Sequence, residues 1–413
     1  MANLLSRFST PVRMTALGSA LLVAAALVAA PAVFAAEEKK QTISEPVAKK
    51  LKPAQDAALK GDYDTAITLA REGLAISTKP YDKETSLKIL LGAVGKKQDY
   101  PAYADTLEQL NALDTLPIED RNRSYKPLAQ IYGNQKNFEK AVPYAQKWAE
   151  TGGGSEAYSM LASLYLIQKD YKNGVAALEQ AIGTREPTEQ ELQQLNYSYY
   201  QLGDKPKREV VMESLVAKHL KREYVSDLML IYQENKIDER AALNVMRFQF
   251  EHQFLTRETE FVDYAESALD KGAPAEALKV LETGIKSGAV KATNPSDRPS
   301  RALVQAKQRT AEDKKTIAQL DKEARNGKNG EADVAVGLAY LGLDDPAKAV
   351  EAIARGLSPE RVAKVKRVDD AYMTLGIAYL RLGKKEEATK AFQSAQKDPR
   401  MAKAAGLWLG AIN

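Results

Sequence analysis

Residues 369–399 read DDAYMTLGIAYLRLGKKEEATKAFQSAQKDP. Tyr372, Leu375, Gly376 and Tyr379 recur at spacings of three, one and three, which puts them on one face of a helix. Gly383 can take the left-handed conformation that ends a helix. In a second helix Ala388, Phe392 and Ala395 again share one face. Small residues at Gly376 and Ala388 let the two backbones approach closely, and the aromatic rings fill the space beside them.

The same two-helix phrase recurs upstream at steps of roughly 33–39 residues. The start of each second helix is the most legible marker: GDYDTA (61–66), KNFEKA (136–141), KDYKNG (169–174), NKIDERA (235–241), GAPAEA (272–277), LDDPAKA (343–349) and GKKEEA (383–388). Each joins a helix stop to a small residue. The first helices carry the other marker, as in Tyr125–Leu128–Ala129–Tyr132, Tyr158–Leu161–Ala162–Tyr165 and Val336–Gly337–Tyr340. The unit at 84–113 is degenerate.

This pattern resembles the tetratricopeptide repeat: an aromatic, Leu-Gly, an aromatic, a glycine stop, then A-x-x-x-F-x-x-A and a proline. Tyr132, Tyr165, Tyr340, Leu375, Gly376, Tyr379, Ala388 and Phe392 stand at its defining positions. The resemblance implies an all-α fold, an α-α superhelix of about ten helix-pair repeats, with a concave face that binds peptides or protein segments. The expected organisation is a leader over 1–35, a flexible lead-in over 36–46 and an N-terminal array over 47–290. A hinge with a hidden, divergent repeat follows over 291–328, and a C-terminal repeat pair with a capping helix over 329–413. That last helix holds Trp408.

The leader rests on basic Arg7 and Arg13, an apolar run from Met14 to Val28 and small residues before a cut between Ala35 and Ala36. It predicts export, in a bacterium to the periplasm. Later segments are too polar to span a bilayer. The net charge of +4 falls to +2 without the leader's two arginines, which argues against nucleic acid as a partner. The chain has no cysteine and two histidines, His219 and His252. Thiol chemistry is excluded, neither histidine has a second at ligand spacing, and no metal, cofactor or catalytic constellation is expected. His219 reads as a surface residue at a helix end, and His252 as a possible partner of Glu251. The glycines of TGGGS (151–155) lack a following G-K-[ST] and read as a connector.

Mapping the family's groove positions onto this sequence gives Val334, Leu338, Leu341, Met373, Ile377 and Leu380 in the last two repeats. They are apolar where a solvated face should be polar. Either they form an open groove for an apolar segment, or the chain itself covers them. In the middle the same positions give Gln193, Tyr197 and Tyr200, an aromatic platform for a peptide or sugar, or inter-repeat contacts. Earlier, Arg123 and Lys126 resemble the basic clamp with which some members hold a carboxylate, but Pro127 and Gln130 replace its asparagines. Arg361, Lys364, Lys366 and Arg367 read as decoration of a linker helix or a contact for an anionic partner. The implied function is a non-enzymatic scaffold for envelope proteins, in energised outer-membrane transport or polysaccharide export. The alternative is a carbohydrate-binding solenoid.

Overall fold

The computed structural model describes residues 42–183 and 185–412. The leader, with its cut between Ala35 and Ala36, and most of the lead-in lie outside the described residues. Among those described, all regular structure is helical.

The chain divides into two compact units that meet between Pro187 and Thr188. The first holds α1 (Glu45–Leu59), α2 (Tyr63–Ala75), α3 (Pro80–Lys97), α4 (Tyr100–Asn111), α5 (Ile118–Asn134), α6 (Phe138–Trp148), α7 (Gly154–Ile167) and α8 (Tyr171–Ile182). The second holds α9 (Glu189–Leu202), α10 (Lys205–Lys218), α11 (Arg222–Glu234), α12 (Glu239–Glu251), α13 (Glu258–Asp270), α14 (Pro274–Lys286), α15 (Arg298–Asn326), α16 (Gly330–Gly342), α17 (Pro346–Gly356), α18 (Val368–Arg381), α19 (Lys385–Gln396) and α20 (Ala402–Ile412). Within each unit successive helices stack as neighbours. That is the local architecture expected when one hairpin cannot bury its own apolar face.

One turn joins the two helices of every pair. Gly61, Gln98, Lys136, Lys169, Gly203, Lys236, Gly272, Asp344 and Gly383 each take a positive φ there, between 54° and 80°. An aspartate or asparagine often follows and caps the second helix: Asp62, Asp99, Asn137, Asp170, Asp204 and Asp345 accept from the backbone N–H three residues on. Where a lysine occupies the left-handed position its Cβ crowds the following carbonyl. Lys169→Gly is therefore expected to stabilise the first unit by about 1 kcal/mol, read as a raised urea midpoint with unchanged slope.

The small positions allow the close approach expected of them. A Cβ on Gly376 would sit 2.5 Å from the Phe392 ring, and one on Gly337 would sit 2.3 Å from Ile353. Ala388 and Phe392 are fully buried and Leu375 nearly so. The recurring tyrosines bury their rings and keep their hydroxyls bonded at the rim. Tyr165 accepts from Gln146 at 3.0 Å, and Tyr132 accepts from Lys140 at 3.2 Å. Tyr340 lies 3.5 Å from Asp321, and Tyr379 is half-buried. Beside Tyr132, burial and then the Glu108 carboxylate push Tyr144 up to about 12.

Three expectations about organisation differ from the structure. Residues 298–326 form one helix of 29 residues, not a helix pair. No glycine or proline lies between 300 and 326 to stop it. Residues 291–297 do not separate one array from another, because 188–290 and 329–412 belong to one unit. The segment is tied down: Val290 is buried and the Lys291 N–H donates to Glu258. Finally, the end of the lead-in is ordered, since Glu45 and Pro46 open α1 and Ser44 donates through its backbone N–H to Asp82.

Candidate partner-binding surfaces

In the second unit the C-terminal helices fold back onto earlier ones. Helix α12 packs against α18 and α20, and α10 also packs against α20. The sequence separation across these contacts reaches 164 residues. Helix α12 is buried on nearly every side, from Ala241 and Leu243 through Asn244, Val245, Arg247, Phe248 and Gln249.

This arrangement decides the apolar groove positions. Met373 is 0% exposed, Ile377 2% and Leu341 4%. Leu341 and Ile377 share a small cavity with Arg247 and Phe250 of α12 and with Tyr264 and Glu276. Leu338 is half-buried against the core built from α12, α13 and α14. Val334 and Leu380 are half-buried as well. The groove of the last two repeats is therefore not open. It is filled by the chain's own helix, because burying this apolar face against α12 removes it from water.

Charged groups flank that contact. Arg240 pairs with Asp370 at 2.5 Å, Arg367 with Asp238 at 3.1 Å and Arg381 with Glu251 at 2.6 Å. Asn244 donates to Asp370 at 3.0 Å, and the Trp408 indole donates to the Asn244 carbonyl at 3.0 Å. Trp408 also stacks on Phe392 and meets Phe248 edge-on, with centroids 5.4 and 5.3 Å away. It thus packs over the last repeat and also locks that repeat to α12.

At the centre lies an ion pair cut off from water. Arg247 bonds Glu276 twice, at 2.8 and 2.9 Å, and is 5% exposed against 9% for Glu276. Tyr264 donates to the same carboxylate at 2.6 Å, and Arg247 also donates to Asn244 at 3.1 Å. Burial alone would raise the Glu276 carboxyl. The Arg247 charge and the hydrogen bonds outweigh it and hold the group below the usual carboxylate range.

Several sequence readings are corrected here. His252 does not pair with Glu251, which is taken by Arg381. Its ring packs 4.1 Å from Phe248, and Nδ1 lies 2.9 Å from the Phe248 carbonyl. His219 caps α10, half-buried and 3.7 Å from Glu189. Arg361 and Arg367 do not decorate a linker helix. Arg361 holds Asp333 and the Ala324 carbonyl, and Arg367 holds Asp238 and Asp369. Lys364 and Lys366 are exposed.

Gln193 donates to the Tyr224 hydroxyl. Tyr197 is half-buried, and the Arg208 guanidinium sits 5.0 Å over the Tyr200 ring. A sugar ring stacking there would have to displace that cation. In the first unit Arg123 pairs with Asp120 at 3.2 Å, while Lys126 pairs with Glu156 at 2.6 Å and lies over Trp148. Both cations of the supposed clamp already face carboxylates.

The sequence did not single out Glu209, Glu213 and Lys403, which line a cavity of about 450 Å³ between α10, α11 and α20. Lys403 pairs with Glu209, and Tyr232 donates to Glu213 at 2.7 Å. Burial raises the Glu213 carboxyl. An acid raised by folding holds its proton more tightly in the folded chain. Above the ordinary carboxylate range the unfolded chain ionises more readily, so stability falls as pH rises toward the raised value. Glu213→Gln keeps the acceptor for Tyr232 and removes the charge. It is expected to match the parent near pH 3.5 and to exceed it in urea stability near pH 8.

Among the described residues no helix is long and apolar enough to cross a membrane, and no group of three His, Cys, Asp or Glu could hold a metal ion. Residues 155–187 and 369–397 match the family model described as Tetratricopeptide repeat. None of the curated proteins matches the chain. Among solved structures it is similar to MamA from Desulfovibrio magneticus RS-1, at 13% identity over 47% of this chain and 98% of that one, with a TM-score of 0.29. It is also similar to a tetratricopeptide repeat protein from Parabacteroides merdae ATCC 43184, at 10% identity over 89% and 100%, with a TM-score of 0.29. A third is the Naa15/Naa10 complex bound to HypK-THB, at 15% identity over 84% of this chain and 57% of that one, with a TM-score of 0.35. Two stretches of the chain, 155–187 and 369–397, therefore match the tetratricopeptide repeat, and both lie within stacks of helix pairs.

Proposed function

We propose that the chain is a non-enzymatic scaffold that holds protein segments on the first-helix faces of its repeats, outside the cytoplasm of a bacterium. One observation carries the scaffold reading. The face made by Leu338, Leu341, Met373 and Ile377 already holds a helix, with apolar contacts at its centre and ion pairs at its edges. A repeat surface of this kind can hold a partner's helix by the same combination. The faces carrying Arg123 and Lys126 in the first unit, and Gln193 and Tyr197 in the second, are the ones offered to a partner. The envelope location rests on the leader sequence, and a role in outer-membrane transport or polysaccharide export would follow from it. The glycan alternative has less support, because Arg208 lies over Tyr200.

A photo-crosslinking residue placed at Arg123 or at Tyr197 in cells is expected to capture a discrete protein partner, whereas one at buried Met373 captures α12 of the same chain. Fractionation of the same cells is expected to place the chain in the periplasm. Absence of any intermolecular adduct from both Arg123 and Tyr197 would sink the scaffold reading, and retention in the cytoplasm would sink the location.

A further inference from the structure

The cavity of about 450 Å³ between α10, α11 and α20 lies in the size range of small-molecule sites. Its walls are mostly aliphatic, with Val216, Leu228 and Leu407 buried behind them. None of the residues of the partner faces named above lines it. Two features of its lining have no explanation within the chain.

The first is Glu213. It is half-buried and accepts from Tyr232, and it makes no ion pair with any described residue. Other carboxylates sequestered in this unit face a cation: Glu276 faces Arg247, Asp321 faces Arg355, Asp333 faces Arg361 and Asp369 faces Arg367. Lys403 is committed elsewhere, to Glu209, which Asn235 also holds. A carboxylate drawn out of water without a counter-charge is destabilising. The second feature is Gly406, inside α20, where glycine weakens a helix relative to alanine. At Gly376 and Gly337 packing forbids a Cβ, but one on Gly406 would meet only the Gln396 side chain, at 3.6 Å. The protein's own atoms do not require a glycine there, and a larger side chain would reach into the cavity that Gly406 lines.

The chemistry of the lining selects the occupant. An ammonium supplies the charge that Glu213 lacks. An anion would meet two carboxylates and one ammonium already engaged, and a neutral molecule would leave Glu213 uncompensated. Aliphatic walls call for an aliphatic body. A lysine side chain has the right headgroup but only four methylenes, too few to fill the space.

We infer that this cavity takes a small aliphatic amine, its ammonium against the Glu213 carboxylate and its chain along Val216, Leu228 and Leu407. The site goes beyond the scaffold reading and does not depend on it.

The test is calorimetric titration of the full chain with octylammonium to about 2 mM, expected to show one site with a Kd of roughly 0.1–1 mM. Octanol and octanoate have the same chain without the positive charge, and each is expected to bind at least about tenfold more weakly. Glu213→Gln keeps the acceptor for Tyr232 and is expected to fold, yet to weaken octylammonium binding at least about tenfold. Gly406→Leu is expected to abolish binding while raising Tm, because it fills the cavity with a better helix former. The inference is overturned by absence of heat from octylammonium, by equal binding of octanol, or by binding that survives Glu213→Gln. Tighter binding of acetyl-lysine-N-methylamide than of octylammonium also overturns it, and would give the cavity to a partner's lysine side chain instead.

Discussion

Arg247→Met is expected to destabilise the second unit by about 3–5 kcal/mol, because it strands the Glu276 carboxylate in a site that water does not reach. For a unit of this size that corresponds to a fall of roughly 10 °C in Tm, measurable by calorimetry. Glu276→Met should cost a similar amount by stranding the guanidinium. The double change to methionine should cost far less than the two together, since it removes the pair and keeps the volume. Additive losses would show that the two side chains act separately. The pH dependence has a definite sign. Folding lowers the Glu276 carboxyl, so the stability it contributes is present above the ordinary carboxylate value and is lost as pH falls through the lowered one. The double variant should lack that component of acid sensitivity.

Trp408→Ala is the second large effect, expected at about 3–5 kcal/mol. The indole is 2% exposed, packs on Phe248 and Phe392 and donates to the Asn244 carbonyl. Its removal opens a cavity and leaves that carbonyl with one bond fewer. The consequence should be local in character. Hydrogen exchange is expected to quicken in α12 and α18, where the C-terminal helices clasp the middle of the unit, and to stay unchanged in α15 of the same unit. Dye binding should rise as Leu341, Met373 and Ile377 come into water more often. Equal quickening throughout the unit would show that Trp408 serves global stability alone.

The helix pairs were legible because their determinants are close in sequence. Gly383 and its counterparts stop one helix, an aspartate or asparagine often follows to cap the next, and Gly376 meets Phe392 across a single turn. The long helix α15 was missed because its apolar residues are sparse enough to fit a degenerate pair. What the sequence lacked there was any stop, and that absence was the available signal. The apolar groove was legible as an anomaly: Met373 and Ile377 had to be covered by something. The occupant was not legible, since repeat patterns encode contacts between neighbours and α12 lies some 130 residues away. One clue existed in ALNVMRFQF (242–250), apolar around most of its circumference, as in a helix with no free side. The charge partners obey no local rule either, so Glu251 was assigned to the adjacent His252 when its counter-ion is Arg381.

The seat that α12 occupies has a bearing on how the chain is made. A ribosome releases α12 well before it releases Arg367, Arg381 and Trp408, and at 5–20 residues per second the interval is roughly 6–30 s. Throughout that interval Val245 and Phe248 have no cover from the C-terminal helices, and the nascent chain offers a greasy rod to whatever is nearby. A polypeptide threaded across a membrane unfolded, and released whole, would never pass through that half-dressed stage.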